Sequence, residues 1–182
     1  PCFPPFLAAS LLGVPGVLHE QNAVLGRANR ALARFADTLA MSFAETEHAQ
    51  RYRLKKVVTG NPVRDRVIAA AGVPYAPIDP KGEVRLLVFG GSQGARVFSD
   101  VVPEAIALID EPLRRRLVVT QQAREEDLER VTDRYRSARV NVELAAFFDD
   151  LPERIANSHL VIGRAGASTV AELTVIGRPS IL

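Results

Sequence analysis

The sequence predicts an α/β protein built on parallel sheets. Short apolar, β-branched runs alternate with longer amphipathic segments, and two of those runs lead directly into glycine turns followed by helical periodicity. The third observation is composition: 47% of the 182 residues are hydrophobic, which is enough for a buried core and excludes a disordered chain.

Taken in order, the pattern predicts a helix near 4–12 and a strand at 17–18. A helix at 25–35, strands at 38–43 and 56–59, and a helix running from Pro62 to about Ala71 follow, proline being suited to a first helical turn. Residues 72–82 hold three prolines and two glycines, so they form a loop. The alternation then restarts. Strands are expected at Val84–Phe89, 117–120, 140–144 and 160–162, with helices at 94–109, 123–136, 151–157 and 169–176. The helix after Gly94 repeats apolar residues at Val97, Val101, Ala105 and Ile109, and again at Phe98, Val102 and Ile106. Pro103 inside it predicts a kink or a break. The chain ends in an apolar run that reads as a strand, Ser180-Ile181-Leu182. A domain junction is expected near 61–65, with domains at 1–64 and 65–182.

Composition removes several function classes. A single cysteine, Cys2, leaves no internal disulfide and no multi-cysteine metal site, which fits a reducing compartment. No run of about 18 apolar residues spans a bilayer. A net charge of +2 without basic-aromatic alternation argues against nucleic acid.

The chemistry concentrates in two loops. Val84–Phe89 runs into Gly90-Gly91-Ser92-Gln93-Gly94-Ala95-Arg96. A buried strand, a glycine turn and a helix start suit an anion site, because unpaired N–H groups and the positive end of the helix dipole converge there, while the glycines equally serve simply to make the turn. The loop is neither a P-loop nor G-x-G-x-x-G. It does match G-x-S-x-G, the nucleophile elbow of serine hydrolases, with Asp149 or Asp150 and His159 following in a permitted order. Plainer roles also suit those partners: a helix-capping acid at 149–150 and the first residue of a strand at 159. The second loop, Gly163-Arg164-Ala165-Gly166-Ala167-Ser168-Thr169-Val170-Ala171-Glu172, repeats the architecture. Glu172 in a first helical turn can accept both hydroxyls of a ribose, while Thr169-x-x-Glu172 equally reads as a capping box.

Four motifs in order now resemble one family. They are His19-Glu20-Gln21-Asn22, Asn61-Pro62-Val63-Arg64, the Gly90–Ala95 loop, and Arg164-x-Gly166-x-x-Thr169-x-x-Glu172 with Gly177-x-Pro179. Together they look like the MurG family, the undecaprenyldiphospho-muramoylpentapeptide beta-N-acetylglucosaminyltransferases. The resemblance covers essentially the whole chain. It implies two Rossmann-like domains of the B-type glycosyltransferase fold, both incomplete here: the C-terminal part of the acceptor domain, then the N-terminal part of the UDP-sugar domain. With both sheets cut, the isolated chain is expected to be inactive and poorly stable.

By that resemblance, Ser92 meets the donor diphosphate in a phosphate loop with Gly90, Gly91, Gln93 and Gly94, and Arg64 also lies on the donor. Asn22 faces the transferred sugar, and Phe148 occupies the uracil-contacting position. Ala167, Ser168, Thr169, Val170, Ala171 and Glu172 cradle the nucleotide. The base is expected upstream of Pro1, with His19, read as the last residue of a strand, as a weak candidate within the chain. The implied reaction transfers N-acetylglucosamine from UDP-N-acetylglucosamine to the undecaprenyl-linked muramoylpentapeptide, with inversion. It uses no cofactor and no metal, and takes place at the cytoplasmic face of the bacterial inner membrane. A UDP-sugar-binding, epimerase-like relative is the other reading of the same fold. Arg27, Arg30 and Arg34 share one helical stripe that suits either an anionic membrane surface or an ordinary solvated face.

Overall fold

The computed structural model describes residues 3–91 and 95–182. The chain divides into two compact units, Pro1–Pro62 and Val63–Leu182. Val63 packs into the core of the second unit and Arg64 pairs with Glu172 there, so the division falls two residues before the 64/65 boundary expected from sequence.

In the first unit, α1 (Phe3–Leu11) precedes β1 (Val17–Glu20), α2 (Arg27–Leu32) and a 3-10 turn at Ala33–Phe35. β2 (Thr38–Met41), a second 3-10 turn at Ala49–Arg51 and β3 (Lys55–Val58) complete it. The three strands form a parallel sheet in the order β1-β2-β3. Leu18, Leu25, Leu32, Leu39 and Met41 bury against one another, with Phe6 and Leu7 of α1 packed on them. The helix expected at 25–35 is much shorter. Gly26 is extended (ψ 155°), and the last turn tightens to 3-10 before Ala36 returns to extended backbone. Leu25 is therefore a loop residue, driven into the core while its N–H bonds the Glu47 carbonyl at 3.0 Å.

The second unit comprises α3 (Asp65–Ala70), β4 (Val84–Phe89), α4 (Arg96–Ala107), α5 (Glu111–Arg114), β5 (Leu117–Gln122) and α6 (Leu128–Ser137). β6 (Asn141–Ala145), α7 (Leu151–Asn157), β7 (Leu160–Gly163), α8 (Ala167–Ile176) and β8 (Ser180–Ile181) follow. All five strands are parallel, in the order β6-β5-β4-β7-β8. The order reverses between β4 and β7, so the crevice at the carboxyl ends of these two strands is where such a sheet binds ligands. β4 explains the layering: Leu86 and Val88 point into a core with α4 and α6, and Leu87 and Phe89 into a second core with α3, α7 and α8. Each of these fully buried side chains stabilises the fold by about 1.5–3 kcal/mol.

Several local expectations are corrected. α4 runs through Pro103 without a break; the missing N–H costs the helix one internal bond, and Pro103 is buried. α3 begins at Asp65, three residues after Pro62, so Pro62 is not in its first turn. The helix expected at 123–136 starts as a 3-10 turn at Glu125–Asp127, and α5 had no helical period in the sequence to announce it. β5 continues two residues further than expected, to Gln122, with consequences for the site.

Candidate functional site at the switch point

An open pocket of about 410 Å³ lies at the carboxyl ends of the second unit's strands. Arg64, Gly91, Gln122, Phe147, Phe148, Ser168, Thr169 and Glu172 all contribute to its wall. Four of the five strand ends supply a lip: Phe89 and Gly91 at the end of β4, Gln122 at the end of β5, the 146–150 loop after β6, and α8 after β7.

The β4 lip turns at Gly91, whose φ of +83° is a left-handed conformation that glycine alone adopts without strain. Ser92, Gln93 and Gly94, expected in the phosphate loop, lie outside the described residues. The Gly90 N–H donates to Gln122 Oε1 at 3.1 Å.

The β7 lip differs from the sequence reading in one respect that matters. α8 starts at Ala167 with an extended Gly166 before it, so Thr169 is inside the helix and cannot cap it. The capping-box reading of Thr169 and Glu172 is therefore wrong, and Glu172 sits in the second turn instead of the first. Its largely buried carboxylate accepts a 3.0 Å bond from Arg64 Nη2. Ala167 to Ala171 form the first turn and a half of α8, with Ser168 exposed and Thr169 facing the pocket. At the far end of this helix, Gly177 takes a left-handed φ of +71° and closes it with a bond to the Leu173 carbonyl.

The β6 lip is held on three sides. Gln122 Nε2 donates to the Ala146 carbonyl at 3.0 Å, and Arg66 Nη1 donates to the Asp149 carbonyl at 3.0 Å. The Arg154 guanidinium lies 4.3 Å over the Phe148 ring while bonding Asp150 and Glu143 at 2.7 Å each. Those bonds hold the Asp150 carboxyl below its ordinary range and raise the Arg154 guanidinium further still. Asp150 does occupy the position before α7, but its side chain serves Arg154 and caps nothing. Phe148 is buried, and Phe147 beside it is exposed.

Gln122, Arg66 and Arg154 were not singled out in the sequence. Arginine and glutamine at loop borders carry no local signature, and Gln122 fell beyond the expected end of its strand.

The two partners of the serine-hydrolase reading are apart: Asp149 and Asp150 follow the carboxyl end of β6, and His159 precedes the amino end of β7. His159 is buried at the amino end of β7; its own N–H donates to the Arg85 carbonyl and its Nδ1 accepts the Arg85 N–H at 2.9 Å. Arg85 is the second residue of β4, whereas Gly90 follows its last, and at about 3.3 Å per residue these positions stand roughly 16 Å apart. Burial, then the nearby Arg85 charge, keeps the imidazole pKa below its ordinary value, as suits a neutral structural histidine.

In the first unit, His19 is the third residue of β1, not its last, and its Nε2 lies 3.3 Å from the Gly60 carbonyl. Asn22 is exposed, with its backbone N–H and Nδ2 both donating to Glu20 Oε1 at 3.0 and 3.1 Å. Arg27 and Arg34 are exposed and Arg30 is half-buried along α2 and its 3-10 extension. Among the described residues there is no group of three or more His, Cys, Asp or Glu that could hold a metal ion, and no helix long and apolar enough to cross a membrane.

A doubly wound parallel sheet with a polar pocket at its switch point defines a binding domain of the Rossmann-like class. More particularly, the chain belongs to glycosyltransferase family 28: residues 85–182 match the model of the Glycosyltransferase family 28 C-terminal domain. It is 56% identical over 184 residues to the UDP-N-acetylglucosamine--N-acetylmuramyl-(pentapeptide) pyrophosphoryl-undecaprenol N-acetylglucosamine transferase of Methylobacterium sp. (strain 4-46), covering 100% of this chain and 50% of that protein. The protein of the same name from Rhizobium rhizogenes (strain K84 / ATCC BAA-868) is 53% identical, with 100% of this chain and 48% of the relative covered. The chain thus spans about half the length of the curated relatives it matches. The crystal structure of Acinetobacter baumannii MurG superposes with a TM-score of 0.71 at 30% identity, over 94% of this chain and 46% of that one. The fold is that of the B-type glycosyltransferases, with the second unit belonging to their C-terminal Rossmann-like domain.

Proposed function

We propose that this chain is part of an enzyme transferring N-acetylglucosamine from UDP-N-acetylglucosamine to an undecaprenyl-diphospho-muramoylpentapeptide acceptor, in peptidoglycan synthesis. The second unit holds the donor and the first unit belongs to the acceptor side. One observation carries the reading: the switch-point pocket pairs a cation, Arg64, with a carboxylate on α8, Glu172, between two glycine-bearing turns. The names of relatives more than 50% identical over the whole chain support the same chemistry.

In this reading Glu172 accepts the ribose hydroxyls. Arg64, exposed along most of its side chain, swings from Glu172 toward the diphosphate. The acceptor hydroxyl gives its proton to a general base and attacks the anomeric carbon, the bond to the diphosphate oxygen breaks, and negative charge grows on departing UDP. Arg64 and the amides of the 91–95 turn stabilise that charge, a role in which a single donor is typically worth about 3 kcal/mol. Ser92 adds its hydroxyl. The Phe148 ring is stacked under Arg154, so the backbone at 147–148 reads the uracil edge in place of the ring. Asn22 is assigned to the transferred sugar. No metal or cofactor is invoked.

Titration calorimetry on a protein of the relatives' full length carrying this sequence tests the donor site. UDP is expected to bind, and Glu172→Gln to weaken it about tenfold, equivalent to ~1.4 kcal/mol. Undiminished affinity in a folded variant removes Glu172 from the site. Binding of UDP-N-acetylglucosamine without transfer to the lipid acceptor would favour the epimerase-like alternative.

Membrane attachment at the cytoplasmic face is part of the same proposal. Arg27, Arg30 and Arg34 form its basic stripe, and α1, packed beside α2, ends at Leu11 and is followed by Leu12, which are 88% and 80% exposed. Each charge near an anionic surface contributes about 1 kcal/mol. Flotation with anionic liposomes should show the triple Arg→Gln variant binding more weakly, and equal binding would end the idea.

A further inference from the structure

The geometry assigns Gln122 as the positioning residue that couples the diphosphate side of the pocket to its base-reading side. The inference rests on the pocket being the nucleotide site and goes beyond it by naming what sets its width. Gln122 is the last residue of β5, adjacent to β4 on one side and β6 on the other. Its buried amide bridges the loops that leave both neighbours: Oε1 accepts the Gly90 N–H at 3.1 Å, and Nε2 donates to the Ala146 carbonyl at 3.0 Å. Only one orientation of the amide satisfies both partners, since an N–H must meet an acceptor and a carbonyl a donor. Gly90 immediately precedes the left-handed Gly91, where the phosphate turn begins. Ala146 immediately precedes Phe147 and Phe148.

One buried, doubly bonded side chain thus sets the separation of two loops that contact opposite ends of a nucleoside diphosphate. Its neighbour shows the contrast. Gln121 points into the core beneath α6, where its Oε1 accepts the Tyr135 hydroxyl at 2.5 Å and takes no part in the pocket. A coupling residue of this kind touches neither reacting atom. Its loss should loosen selection of the base and donor affinity together, and leave acceptor use alone.

The test uses the full-length enzyme with Gln122→Met, which keeps the volume and removes both bonds, and Gln122→Glu, which keeps an acceptor for Gly90 and loses the donor to Ala146. For Gln122→Met the KM for UDP-N-acetylglucosamine should rise about tenfold, with the acceptor KM unchanged, and the preference for UDP over GDP in competition should shrink by a similar factor. For Gln122→Glu the preference for UDP over GDP should shrink while inhibition by inorganic pyrophosphate stays at the wild-type level. A residue that only supports folding would lower the melting temperature without moving base preference. If the Met variant does not fold, the Glu variant decides. Wild-type base preference in whichever variant folds overturns the assignment. Failure of the unsubstituted enzyme to bind UDP would instead overturn the nucleotide reading of the pocket.

Discussion

Glu20 shows how a single residue organises a loop. It is buried at the end of β1, and its two carboxylate oxygens accept four bonds: the N–H and Nδ2 of Asn22, the N–H of Gly26 and Nδ2 of Asn29. Burial alone would raise its pKa, but the Gly26 and Asn22 amides, then the Asn29 and Asn22 side chains, outweigh it and leave the carboxyl below its ordinary 4.5. A carboxyl depressed on folding contributes stability above its unfolded pKa, and that contribution is lost as pH falls from about 4.5 through the folded value. Glu20→Gln should therefore be less stable than the parent at pH 7 in urea unfolding, with the gap closing as pH falls from about 4.5 through the folded value. A gap independent of pH would show that the charge is not what the loop uses. In the sequence Glu20 stood out only as a member of a motif. Its partners at positions 22, 26 and 29 meet it only because the chain turns back on itself.

At the scale of elements, Arg178 joins three helix ends. Its buried guanidinium donates to Ala156 near the end of α7 at 2.8 and 2.6 Å, to Ile176 at the end of α8 at 2.9 Å, and to Val73 beyond α3 at 2.7 Å. Helix C-termini present unpaired carbonyls and the negative end of the dipole, so a single fork-shaped cation satisfies several of them at once. α3, α7 and α8 form the layer behind the pocket, and Arg178 locks their register. Arg178→Ala should cost ~3 kcal/mol or more, because buried carbonyls lose their donors, and Arg178→Lys should recover only part, lacking the planar fork. Denaturant unfolding of the three proteins checks this, and an Ala variant as stable as the parent would remove Arg178 from the account. Sequence reading found all three helices but not this tie. α8 was also started two residues late, because Thr169 and Glu172 imitate a cap where the chain has in fact already entered the helix at Ala167.

At the scale of the whole molecule, the alternation of apolar runs and amphipathic segments was sufficient for the α/β class and for most strands. Val84–Phe89 and Leu151–Asn157 were legible to the residue, since one is a buried six-residue run and the other opens on Leu-Pro with clear helical spacing. The breaks after β4 and β7 were legible as well, where Gly91 takes a left-handed φ and an extended Gly166 precedes α8. By itself the sequence determined the parallel α/β class and the helical and strand periods, consequences of local stereochemistry and of which faces must leave water. The tertiary structure decided the pairings across long separations: Arg64 with Glu172, Gln122 with both flanking loops, and His159 with Arg85 at the wrong end of the sheet for a catalytic triad. The physical reason is that local propensity says nothing about strand order. Parallel neighbours are joined by distant crossovers, so only the assembled sheet settles which side chains share a pocket.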